Sequence, residues 1–112
     1  QSHAHQKNLE FRIYKRSESD PSYREMIYRA LDWEHPPIIN YDPPILFNND
    51  EGFELEAIYF NDTEDTTKFG FLSTDEMMIL FGLFYPNSEL GYESQNTVAN
   101  YNLLKESKLQ LR

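Results

Sequence analysis

The sequence predicts an α+β fold: a small single domain, with an antiparallel sheet and two or three helices in a ferredoxin-like, split βαβ order. Three observations carry that expectation. Apolar residues alternate with period two at Leu9–Tyr14 and Phe53–Phe60, as in half-buried strands. Helical spacing follows an Asp-Pro start at residues 20 and 21. A capping box then precedes a run that is apolar on every side. At 112 residues the chain suits one domain, taken as 9–112 behind a flexible N-terminus at 1–8. Eight Phe, eight Tyr and one Trp argue for a folded core despite a net charge of −9.

The first strand places Leu9, Phe11 and Ile13 on one face against Glu10, Arg12 and Tyr14 on the other. The first helix starts with Asp20 as N-cap and Pro21 at the first helical position, where no backbone N–H is lost. Its stripe is Tyr23, Met26, Ile27, Ala30 and Leu31, and it ends near Glu34 ahead of Pro36. Pro36-Pro37-Ile38-Ile39 and Pro43-Pro44-Ile45-Leu46 then read as a stiff, extended connector packed on the core.

Asn48–Gly52 is a turn by composition, and Phe53–Phe60 follows as a strand. A second turn at Asn61–Thr66 leads to Thr67–Leu72, which gives an antiparallel hairpin. Ser73 as N-cap, Glu76 three residues on, and Leu72 with Met77 as a hydrophobic staple predict a helix over 74–85. Val98, Tyr101 and Leu104 suit a third, short helix, and Leu109 with Leu111 a final edge strand.

Charge is distributed unevenly. Residues 1–29 hold 4 acids and 6 bases, 30–104 hold 14 and 1, and 105–112 hold 1 and 3, so the segments carry +2, −13 and +2. An anionic middle attracts cationic proteins and repels nucleic-acid and membrane phosphates. The expected partner is therefore a basic protein, with no nucleic acid and no membrane bound. With no Cys there is no disulfide, thiol nucleophile or Cys-type metal site. The longest apolar run, Met77–Tyr85, is too short to cross a bilayer. A start at Gln1 rather than Met fits a leader removed on export, a lost preceding region or a trimmed tag, so the compartment stays open with a slight lean to export.

No motif specifies catalysis, and no cofactor is expected. Asp32-Trp33-Glu34-His35 could supply a general base with an orienting carboxylate, although the same residues are ordinary at a helix end. The oxygen-rich turns 48–51 and 61–65 lack calcium-loop spacing. Gln1-Ser2-His3 at a free terminus has the donor order of a planar Cu(II) or Ni(II) chelate. Asn61-Asp62-Thr63 is a formal N-glycosylation sequon.

The function expected is a non-enzymatic, acidic protein-interaction domain, in its most concrete form an immunity-type inhibitor of a cationic protein. Its contact residues are Asp50, Glu51, Glu54, Glu56, Asp62, Glu64 and Asp65, which share one hairpin and the turn before it. The alternatives are a structural subunit, such as a homodimer, self-associating through helix 74–85, and a small enzyme using His35 as base.

Overall fold

Alternation of apolar and polar side chains makes β2 (Asn8–Ser17) an extended strand, and its burial shows which face is inside. Phe11 and Ile13 are buried almost completely, while Arg12 and Arg16 stand on the opposite side. The computed structural model describes residues 1–86. Contacts divide the chain into two compact units, Gln1–Gly82 and Leu83–Arg112. The expected short helix around 98–104 and strand at 109–111 lie outside the described residues.

Two antiparallel neighbours flank β2: β3 (Arg24–Ala30) and β4 (Glu51–Tyr59), in the order β3-β2-β4. Register places Phe11 opposite Ala30 and Ala57, and Ile13 opposite Tyr28 and Leu55. Those residues therefore share one face and build the core. A second, two-stranded sheet pairs β1 (Ser2–His3) with β5 (Ile79–Leu80). Ala4 joins the core beside it, with Met78 and Leu80 packed around.

The N-terminal segment, expected to fray, is tied in at several points. Tyr28 gives its single hydroxyl proton to Pro37 O at 2.9 Å, so its oxygen accepts from Ser2 N at 3.2 Å and Ser2 Oγ at 3.1 Å. Tyr41 Oη also donates to Ile27 O. These bonds dock the proline-rich connector on β3, and the Phe47 and Phe53 rings, 4.5 Å apart, dock its other end on β4.

The described residues contain no helix, so the α+β, ferredoxin-like expectation is overturned in favour of strands and irregular chain. At residues 20–34 the reason is a bulge. Ile13 pairs Tyr28 and Tyr14 pairs Met26, which leaves Ile27 as the extra residue. One inserted residue turns a period-two pattern into spacings of three and four, the signature of a helix. Asp20 meanwhile forms a local turn: its Oδ1 accepts from Ser22 N at 3.0 Å, and its carbonyl accepts from Tyr23 N at 3.0 Å.

At residues 73–85 the capping carboxylate is used elsewhere. Glu76 Oε1 accepts from Lys7 N at 2.8 Å and Oε2 from His5 N at 3.2 Å, donors far away in sequence. Asp75 N donates to Leu72 O at 2.9 Å to close a turn, and Ile79–Leu80 goes into β5. The apolar helix proposed for self-association is therefore absent. Nor does Thr67–Leu72 pair with β4; only Phe69 forms an isolated parallel bridge, to Glu76. The strand partner of β4 is β2, reached over a long sequence separation.

Candidate functional site

The outward face of the three-stranded sheet collects charges that the sequence spreads over 47 positions, from Glu10 to Glu56. Arg12 stands opposite both Glu56 and Arg29, because direct partners in an antiparallel sheet share a face. Glu10 receives Arg12 Nη2 at 2.7 Å and Arg29 Nε at 2.6 Å. Glu54 receives Arg24 at 2.7 Å and Arg16 at 3.4 Å, and Glu56 receives Arg24 at 3.0 Å and Arg12 at 3.5 Å. The Arg24 guanidinium also lies 3.5 Å above the Tyr14 ring centre and covers it.

Four arginines and three glutamates thus form one connected network with little net charge. Hydrogen bonds from Arg12 and then Arg29 lower the Glu10 carboxyl to a pKa of about 2. Arg24 likewise holds Glu56 below the usual carboxylate range. Such a face is cohesive rather than attractive to a cation.

The sequence-predicted contact residues therefore separate into two groups. Glu54 and Glu56 belong to the arginine network. Glu51 bonds Lys15 at 2.9 Å and accepts from Asn48 N at 2.7 Å, the latter being the larger cause of its lowered pKa. Asp50 Oδ2 accepts from Ser17 Oγ at 2.9 Å and Ser19 Oγ at 2.5 Å, which closes the turn onto β2. Asp62, Glu64 and Asp65 form the second group. They lie in an exposed loop after β4, and their carboxylates have no ion-pair partner among the described residues.

A cleft of about 640 Å³ runs beside that loop, lined by Lys7, Leu9, Phe60, Asp62, Asp65 and Lys68 among others. Leu9 and Phe60 are both more than half exposed there. Leu9 reaches this surface because of a second bulge: Asn8 pairs Tyr59 and Glu10 pairs Ile58, so Leu9 is the unpaired residue and leaves the core. Asn8 Nδ2 spans the irregularity by donating to Glu10 O at 3.1 Å and Ile58 O at 3.3 Å. Leu9 and Phe60 are thus exposed apolar residues with charged side chains around them. Phe69, Phe71 and Leu72 add exposed apolar surface in the following loop.

Asp32 Oδ1 accepts from Glu34 N at 2.9 Å and His35 N at 3.2 Å, which lowers its pKa, and Oδ2 lies 3.3 Å from His35 Nδ1. This is an Asx-type turn, with the imidazole 78 % exposed. Ser2 N is committed to Tyr28 Oη, and Ser2 and His3 lie in β1, so the planar metal chelate would have to break a strand. No group of three or more metal-ligating side chains forms among the described residues. No helix there is long and apolar enough to cross a membrane.

Sequence reading missed the arginine network and the exposed Leu9–Phe60 pair. The network had a signal in the matching period of Arg12, Tyr14 and Arg16 with Glu54 and Glu56. The Leu9 bulge had none. No known protein family, curated protein or solved structure matches the chain.

Proposed function

We propose that this chain is a non-enzymatic protein-interaction domain that docks a basic partner through Asp62, Glu64 and Asp65, with Leu9 and Phe60 as the apolar centre of the contact. The observation that carries the reading is the contrast in partnering. Glu51, Glu54 and Glu56 are closed onto bases of the same sheet, whereas the three loop carboxylates are exposed and have no ion-pair partner among the described residues. Unpartnered carboxylates around an apolar pair give steering as well as burial to a protein with basic rim residues.

Affinity capture from the native source with the wild-type chain and a D62K/E64K/D65K variant tests this. A basic protein retained by the wild type at low salt, weakened by salt and lost in the variant supports the reading. Equal capture by both chains refutes it. Inhibition of the captured protein's own activity then distinguishes an immunity-type inhibitor from a docking module.

A further inference from the structure

We propose that Asn61 is an N-glycosylation acceptor, modified by transfer of a sugar from a lipid-linked oligosaccharide diphosphate. Asn61-Asp62-Thr63 is the sole Asn-x-Ser/Thr sequence in the chain, and the middle residue is not proline. The motif alone recurs by chance, so the geometry decides. Residues 61–66 are all exposed and lie immediately beyond the end of β4, clear of the sheet ladder.

The loop also holds the acceptor amide in a defined way. Thr63 N donates to Asn61 Oδ1 at 3.2 Å, and Thr63 Oγ1 donates to the same oxygen at 2.7 Å. Both required side chains of the sequon are therefore already joined in the folded protein. Donation to Oδ1 draws electron density out of the amide and makes its N–H groups more acidic. Asn61 Nδ2 spends one hydrogen on Asp65 O at 2.8 Å, and its second hydrogen is left for the reaction.

In the transfer, a bond forms between Asn61 Nδ2 and the anomeric carbon while the bond from that carbon to the diphosphate oxygen breaks. The electron pair leaves with the lipid diphosphate, and one Nδ2 proton passes to a base of the transferase. No oxidant or reductant is needed. This inference stands apart from the docking proposal, because its readout is covalent mass.

The test uses the full folded chain, purified unmodified, incubated with a eukaryotic oligosaccharyltransferase and a lipid-linked oligosaccharide, with intact mass as the measurement. The expected product carries a single glycan, which peptide N-glycosidase removes while converting Asn61 to Asp. N61Q and T63A are expected to lose the modification entirely, and T63S, which keeps the hydroxyl, to retain it at several-fold lower occupancy. Each variant's far-UV spectrum is checked against the wild type, so loss of product is read only from folded chains. An unmodified wild-type chain overturns the proposal, as does glycan retained in T63A.

Discussion

Replacing Glu76 with alanine separates two uses of one carboxylate. In the folded chain Glu76 holds the N-terminal segment by accepting from the His5 and Lys7 amides. His5 is 6 % exposed, so its N–H loses its acceptor without gaining full hydration, while the Lys7 amide can recover water. A bond to a charged acceptor contributes about 1.5–3 kcal/mol when its partner stays buried, and the solvated one less, so E76A should cost roughly 2–3 kcal/mol. With a urea slope of about 1–1.5 kcal/mol/M for a unit of this size, the midpoint falls by roughly 1.5–2.5 M. Urea unfolding supplies that number, and amide exchange locates it: the His5 and Lys7 amides should exchange faster, together with the Ser2–His3 pairing to Ile79–Leu80. An unchanged midpoint with unchanged protection at His5 and Lys7 refutes the clasp. So does loss of a helical far-UV signal, which would mean that Glu76 caps its own helix.

Four further outcomes follow from the same geometry. Phe11→Ala empties a fully buried site opposite Ala30 and Ala57 and should cost about 3–5 kcal/mol in denaturant unfolding, whereas Leu9→Ala, at the exposed bulge, should stay within about 0.5 kcal/mol. Glu10 has a folded pKa of about 2 against an ordinary 4.5, so its contribution is present above about pH 4.5 and is lost as pH falls toward 2. Acid unfolding of E10Q should accordingly be less steep across that window than wild type. Tyr59, half-buried and donating to Met77 O at 2.6 Å, has its pKa raised from 10 to about 12, chiefly by burial. Its contribution is complete below pH 10 and lost as pH rises through 12; Tyr23, raised to about 12 by its hydrogen bond to Glu25, titrates as late, so Y59F should remove one phenol from the late ultraviolet phase and leave that of Tyr23.

How much was legible depended on how far away the deciding partner lay. Phe11 and Ile13 were readable as core, and Phe53–Phe60 as a strand, because period-two alternation is a local property of the backbone. The turn closed by Glu51 N on Asn48 O was readable from its composition, but Glu51 and Gly52, read as part of it, already belong to β4. Leu9 was not readable as exposed, since its bulge exists only in the pairing of Asn8 with Tyr59 and Glu10 with Ile58. Ile27 misled in the same way, by imposing helical spacing on a bulged strand. Among the candidate contacts, the loop carboxylates Asp62, Glu64 and Asp65 stayed exposed as their turn composition implied, but nothing near Glu54 or Glu56 in sequence announced Arg12, Arg16 and Arg24.

By itself the sequence determined which side chains alternate, where the chain turns, and how acid and base divide along its length. Tertiary structure decided that residues 24–30 extend, that Glu76 serves His5 and Lys7, and that the arginines near the N-terminus neutralise the glutamates of β4. The physical reason is one of scale. A local cap or helical propensity is worth about 1 kcal/mol, and it yields when a distant strand satisfies the backbone, buries an apolar face and pairs the charges at once.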